Sequence, residues 1–222
     1  MKIIFAIPGF QFSNNFLSCW TNLIKYLEKN NIEWELLTYY SPIVHHTRKK
    51  IVDYLLSDNE KFNNYDRIMW IDDDIFFTHY QFEKLLSHDV DIVSGLYYSH
   101  SIDFEKEERE YACVGLNGRR LLESDLENQP KYSNDSDLIR VYSNGMGWML
   151  VKNGVFESLL DNRWKDPFLS EKLLESKKGN VCIVEDLAFQ QNALEKGFKS
   201  YVDPSIVVGH EKLIQLEKFK GF

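Results

Sequence analysis

The sequence predicts an α/β domain built on a largely parallel central sheet, and three observations predict it. Short apolar runs such as "KIIFAIP", "IEWELLTYY", "DRIMWI" and "DVDIVSG" recur along the N-terminal half, bounded by turn formers or polar residues. Between them lie segments whose apolar residues share one helical face, and strands alternating with helices indicate parallel pairing. No internal repeat or low-complexity linker divides the 222 residues, a length suited to one domain.

The elements follow in order. "KIIFAIPGF" is an apolar run ended by Pro8-Gly9, the form of a buried strand meeting a loop. In "NNFLSCWTNLIKYLEKN", Phe16, Trp20, Leu23, Ile24 and Leu27 have helical spacing. "IEWELLTYY" is a second strand and "HTRKKIVDYLLSD" a second helix. "DRIMWI" is a third strand with Asp72, Asp73 and Asp74 at its end, and Thr78 is placed to cap the helix "THYQFEKLLSH". "DVDIVSGLYYSH" supplies the next strand.

From Ser99 to Asp137 charges and turn formers mix, which predicts an irregular insertion with short strands. "LIRVYSNGMGWMLVKNGVFESLL" reads as a strand, a Gly-rich turn, a strand and a short helix. "GNVCIVEDLAFQQNALEKGFKSYVDPSIVVGHEK" reads as a strand, an acidic turn, a helix and two short strands. In the tail "EKLIQLEKFKGF", Leu213, Leu216 and Phe219 have helical spacing and are expected to pack back on the domain.

A net charge of −8 excludes a general nucleic-acid binder, which would carry a basic face. A phosphate-bearing ligand would need a local cation on so acidic a protein, and a divalent metal supplies one. Cys19, Cys113 and Cys182 are few and scattered, which indicates a reducing compartment without a disulfide framework. The N-terminus is apolar only from Ile3 to Ile7, too short for a signal peptide, and no run approaches the roughly 18 residues of a membrane span. The expectation is a soluble cytoplasmic protein. The sequon Asn134-Asp135-Ser136 then reads as an unmodified loop.

In open α/β sheets ligands bind outside the carboxyl ends of the strands. Pro8, Gly9, Tyr39, Tyr40, Gly95 and the three aspartates all stand at such ends and are expected to share one rim. Helix capping is the bland account of Asp72 to Asp74, yet Thr78 is the better cap and three adjacent carboxylates repel one another. Coordination of Mn2+ or Mg2+, with phosphates completing the shell, explains them better. Glu185-Asp186 opens a helix and reads as helix-start charge or as chemistry. His210, just past a late strand, reads as structural or as a third metal ligand.

Five segments in order carry a family resemblance: "HHTRKKIVDYLL", "RIMWIDDDIFF", "DVDIVSGLYY", "GMGWMLVKNGVFE" and "EDLAFQQNALEKGFKSYVDPSIVVGHEK". The chain resembles small GT-A-fold nucleotide-sugar glycosyltransferases of the family 2-like kind, including compact viral, phage and bacterial members. The resemblance runs over most of the chain. It departs where the family often reads Ala-Arg-Asn and this chain has Thr47-Arg48-Lys49, and the insertion matches no family segment.

The resemblance implies a single GT-A (Rossmann-like) domain over residues 1–222. Residues 1–98 would form the nucleotide-binding half, and residues 99–222 the acceptor-binding half with a smaller mixed sheet. It implies a metal-dependent, inverting transferase that takes a UDP-sugar, or secondly a GDP-sugar, to a glycan, lipid-linked sugar or protein acceptor. Arg48 would face the phosphates, and Pro8, Gly9, Tyr40, Asp73 and Gly95 would line the donor. Asp74, Asp72 and His210 would serve the metal, with Asp72 also near the ribose. Asp186 would be the general base with Glu185 in support. Gly145 and Gly147 would admit the sugar closely, and Trp148 would be an acceptor platform or a core aromatic. Two rivals remain: an inactive nucleotide- or sugar-binding module, and a Mg2+-dependent phosphohydrolase, whose motif would need Thr or Val where Phe76 stands.

Overall fold

The N-terminal apolar run forms β1 (Lys2–Pro8), buried from Ile3 onward. The structure, a computed structural model, describes residues 1–57, 59–99, 109–129, 137–160, 166–169, 174–176, 179–181 and 184–211. Residues 100–108 and 130–136 of the insertion, Cys182, the Asn134 sequon and the tail with Leu213, Leu216 and Phe219 lie outside the described residues.

Helix α1 (Asn14–Lys29) starts where Ser13 Oγ accepts the Phe16 N–H at 3.1 Å, and it buries Phe16, Cys19, Leu23 and Leu27. Then come β2 (Glu33–Tyr39), α2 (Val44–Leu55), β3 (Arg67–Ile71) and the two-residue β4 (Ile75–Phe76). Helix α3 (His79–Leu86) is capped by Thr78, as the sequence predicts, and the Thr78 N–H donates back to Gln81 Oε1 at 2.8 Å. Strand β5 (Ile92–Leu96) follows. The insertion contributes β6 (Glu110–Val114) and β7 (Arg120–Leu122). Beyond it lie β8 (Ile139–Val141), β9 (Ser143–Asn144), β10 (Trp148–Lys152) and α4 (Val155–Leu159). The chain continues through β11 (Leu174–Ser176), β12 (Gly179–Val181), α5 (Glu185–Glu195), β13 (Ser200–Val207) and β14 (Gly209–His210).

Seven strands form the central sheet in the order β2-β1-β3-β10-β5-β13-β8. Strands β1, β2, β3, β5 and β13 run one way, while β10 and β8 run antiparallel to their neighbours. The sheet is therefore mostly parallel but mixed, because β10 inserts between β3 and β5 where local pattern does not announce it. Side chains alternate across the sheet. Ile3, Phe5, Ile7, Met69 and Ile71 pack with α1 and α3, whereas Ile4, Ala6, Ile68 and Trp70 pack with α2, α4 and α5.

Two small sheets matter for the rim. One has the order β7-β6-β9, and its Tyr111, Cys113 and Leu121 pack with Leu96, Val202, Ile139 and Val141 of the central sheet. The other pairs β14 with β4, setting His210 opposite Ile75. The register of β13 shifts between Val202 and Val207, around Asp203-Pro204-Ser205. Proline lacks a ladder donor, so a bulge is where a strand tolerates it.

Candidate active site

The ends of β1, β2 and β3 meet at one rim. Asp73 turns toward the first of them: its Oδ2 accepts the Phe10 N–H at 3.0 Å, and the Gly9 N–H donates to the Tyr39 carbonyl at 3.3 Å. A Cβ on Gly9 would sit 2.6 Å from the Asp73 Cβ, so the approach requires glycine. Phe10 and Tyr40, both well exposed, stand with ring centroids 4.6 Å apart beside this turn. Pro8 is buried under them.

Arg48 projects from α2 into the centre of the rim and is only 3% exposed. Its Nη2 donates to both oxygens of Asp72, at 2.9 and 3.1 Å, and its Nε lies 3.6 Å from Glu185 Oε1. The guanidinium also stacks over Trp70, 5.7 Å from the ring centroid. Burial works against the arginine charge, but Asp72 and Glu185 outweigh it and raise its pKa. Burial likewise pushes the Asp72 carboxyl above its ordinary value, and Arg48 opposes that push. Nε and Nη1 of Arg48 are buried without a hydrogen-bond partner among the described residues. Such donors are costly unless something anionic meets them.

The β4–β14 ribbon brings the third aspartate to the terminal histidine. His210 Nε2 lies 3.3 Å from Asp74 Oδ2, and the Glu211 N–H donates to the Asp74 carbonyl at 2.7 Å. His210 Nδ1 lies 2.9 Å from the Tyr98 carbonyl oxygen. A carbonyl oxygen can only accept, so Nδ1 carries a proton there and Nε2 is the nitrogen that faces Asp74. Asp72, beside them in the sequence, has both its oxygens turned to Arg48 Nη2. Among the described residues no three carboxylate, imidazole or thiolate groups gather closely enough to hold a metal ion. Asp74 and His210 offer one carboxylate and one imidazole nitrogen, which suits a divalent cation that completes its shell from a bound ligand.

The Gly-rich turn has a different neighbour from the one its sequence suggests. Tyr97, 6% exposed, inserts its phenol between Gly145 and Gly147. A Cβ on Gly145 would lie 2.0 Å from the Tyr97 hydroxyl oxygen, which accepts the Gly147 N–H at 3.0 Å. Trp148 is fully buried, with its ring 4.6 Å from that of Phe77, so it is a core aromatic with no face for an acceptor. Gly95 does not line the cavity either; a Cβ there would strike Trp148 and Ile206.

Helix α5 opens with the acidic pair. Glu185 faces Arg48, while Asp186 Oδ1 accepts the Leu187 N–H at 2.7 Å. Burial and then Glu185 push the Asp186 carboxyl up to about 6, near the range of a working general base. Gln190 anchors the helix: its side-chain oxygen accepts the Asn144 N–H at 2.9 Å and its amide donates to the Asn144 carbonyl. Asn144 in turn donates to the Gly95 carbonyl at 2.8 Å.

These elements enclose a cavity of about 480 Å³. Arg48, Asp72, Asp74, Glu185, Asp186 and His210 all line it. Tyr97, Met146 and Arg120 line it too and were not singled out in the sequence. Tyr97 carried a signal in hindsight, because a tyrosine just past a strand end shares the rim with Gly95. Arg120 carried none, since it lies in the insertion. The sequence offered no partner for Gln190 or Asn144, whose roles depend on contacts 46 residues apart.

No protein-family model matches the chain, and no curated protein matches it. Solved structures match it in fold. The crystal structure of A197 from STIV is 17% identical over 98% of this chain and 99% of that one, with a TM-score of 0.51. GalNAc-T7, crystallised with UDP, GalNAc and Mn2+, is 10% identical over 94% of this chain and 43% of that one, with a TM-score of 0.50. The catalytic domain of Drosophila beta1,4galactosyltransferase 7, in complex with xylobiose, is 12% identical over 91% and 64%, with a TM-score of 0.48. The seven-stranded mixed sheet with its flanking helices and small sheets is thus a GT-A-like fold.

Proposed function

We propose that the chain transfers a sugar from a nucleotide-diphosphate donor to an acceptor hydroxyl with inversion at the anomeric carbon. The observation that carries this reading is one cavity into which α2, β3, β14 and α5 direct Arg48, Asp72, Asp74, His210, Glu185 and Asp186. Residues 1–98 supply most of the donor side, and residues 99–222 supply the base and the acceptor side.

Asp74 and His210 would hold a divalent cation, which when bound neutralises charge on the leaving diphosphate. Arg48, whose buried Nη1 makes no hydrogen bond among the described residues, offers that donor to the same oxygens. Phe10 and Tyr40 give the nucleobase an aromatic surface, and Asp73 holds the Gly9–Phe10 turn beneath it. Asp186 removes the proton of the acceptor hydroxyl as that oxygen attacks the anomeric carbon, and burial keeps its basicity suited to neutral pH. A phosphohydrolase would use Asp72 as a free nucleophile, and the hold of Arg48 Nη2 on both its oxygens speaks against that role. GalNAc-T7 was crystallised with UDP and Mn2+, so that pair is tested first; glycans, lipid-linked sugars and proteins remain as acceptor classes.

The test is a thermal-shift panel of UDP, GDP, CMP and dTDP, each with and without Mn2+. A nucleotide at a hundredfold excess over its Kd stabilises the protein by about 2.7 kcal/mol. A Mn2+-dependent shift with one nucleotide, lost in Asp74→Ala and His210→Ala, is expected. No shift with any nucleotide in the presence of Mn2+ overturns the reading. Asp186→Asn should keep the shift and lose transfer, and retained transfer would remove Asp186 from the base role.

A further inference from the structure

The Tyr97 side chain touches both arms of the aspartate cluster. Its hydroxyl oxygen accepts the Gly147 N–H at 3.0 Å, and the Gly147 carbonyl accepts the Asp72 N–H at 3.1 Å. Asp72 then holds Arg48. The Tyr97 ring meets the His210 ring edge-on, with centroids 5.2 Å apart and planes at 70°. Imidazole Nε2 faces Asp74 because Tyr98, the next residue, holds Nδ1 through its carbonyl. One side chain and the following carbonyl therefore fix both the arginine arm and the histidine arm.

Several facts make this more than packing. The Gly145–Gly147 turn has room for the phenol only because Gly145 carries no Cβ, and at Gly147 a Cβ would already be a tight 3.0 Å from the hydroxyl. The phenol lines the cavity although the residue is only 6% exposed. The hydroxyl and the ring act on different partners, so they can be separated by substitution.

We propose that Tyr97 is a positioning residue with two separable actions. Its hydroxyl, through Gly147 and Asp72, sets the arginine that meets the nucleotide diphosphate. Its ring holds the imidazole of His210 in the orientation a divalent cation requires. The proposal rests on the transferase reading of this cavity.

The probes are UDP and Mn2+, read by calorimetry and by thermal shift rather than by turnover. Tyr97→Phe keeps the ring and removes the hydroxyl. UDP affinity at saturating Mn2+ should fall about tenfold, with the Mn2+ concentration for half-saturation unchanged. Tyr97→Leu removes both, and the Mn2+ requirement should also rise, by the 10- to 100-fold typical of lost outer-shell support. A general structural role would move both readouts together in Tyr97→Phe or leave both unmoved, and either result overturns the proposal. An unchanged Mn2+ requirement in Tyr97→Leu overturns it as well; should that variant not fold, Tyr97→Phe decides alone. Wild-type protein that binds no UDP with Mn2+ present sinks the transferase reading and the proposal together, whereas wild-type binding with the wrong variant pattern sinks only the proposal.

Discussion

At Asp186 burial and the adjoining Glu185 push the carboxyl up to about 6 from its ordinary 3.8. The folded protein therefore binds this proton more tightly than the unfolded chain does. That contribution to stability is complete below about pH 4 and is lost as pH rises through about 6. As a base the group works in the opposite sense, so transfer should rise with pH through the same value. The shift corresponds to about 3 kcal/mol at most. Asp186→Asn should accordingly melt several degrees above the wild type at pH 8, with the gap narrowing toward zero near pH 4, in a pH series of thermal unfolding scans. A gap independent of pH would mean that the carboxylate is solvated. The adjacent acids could be read from the sequence, whereas the burial that tunes Asp186 depends on α5 docking beside Arg48.

Among the elements, α3 and the β13 bulge form a latch. Asp203 is fully buried; it accepts from the Ser205 N–H at 2.9 Å and the Ser205 hydroxyl at 2.6 Å, with His88 Nε2 at 2.8 Å and Lys84 Nζ at 3.6 Å. Burial alone would raise this carboxyl, but the bonds from Ser205 and His88 prevail and hold it below its ordinary value. Its stabilisation is present above the unfolded carboxylate range and is lost as pH falls through the folded value. Breaking a buried, paired charge typically costs about 3–5 kcal/mol. Asp203→Ala should lose an amount of that order in urea unfolding at pH 7, with a smaller difference at pH 3. Because the bulge leads into β14, the same variant should raise the Mn2+ requirement of UDP binding. The Thr78 cap was legible, since its signal lies within four residues. The latch and the β4–β14 ribbon were not, because His88 and Asp203 are 115 residues apart in the chain.

For the whole molecule, Cys19 lies in the apolar layer formed with α1 and α3 and Cys113 in a smaller cluster with Tyr111 and Leu121, and they are only 5% and 0% exposed. Burial pushes both thiols upward, so little thiolate forms at neutral pH. Alkylation at these two positions, followed by peptide mass spectrometry, should be slow in buffer and should rise along the urea unfolding curve. Rapid native labelling of Cys19 would show that α1 opens independently of the sheet. Among the described residues no helix is long and apolar enough to cross a membrane.

Local pattern was enough for the α/β class, the strand ends and most of the acidic and basic residues of the rim. Strand and helix periods, Pro8-Gly9, the Thr78 cap and the aspartates after "RIMWI" are all written within a few neighbouring residues. Tertiary structure alone decided which of them act together. It tied Asp72 to Arg48, turned Asp73 toward the β1 loop and gave Asp74 to His210; it also buried Trp148 and set Tyr97 between the glycines. Those outcomes depend on β10 entering between β3 and β5 and on β14 pairing with β4. Such pairings are selected by burial of whole faces and by backbone bonds between distant segments, energies that no short stretch of sequence contains.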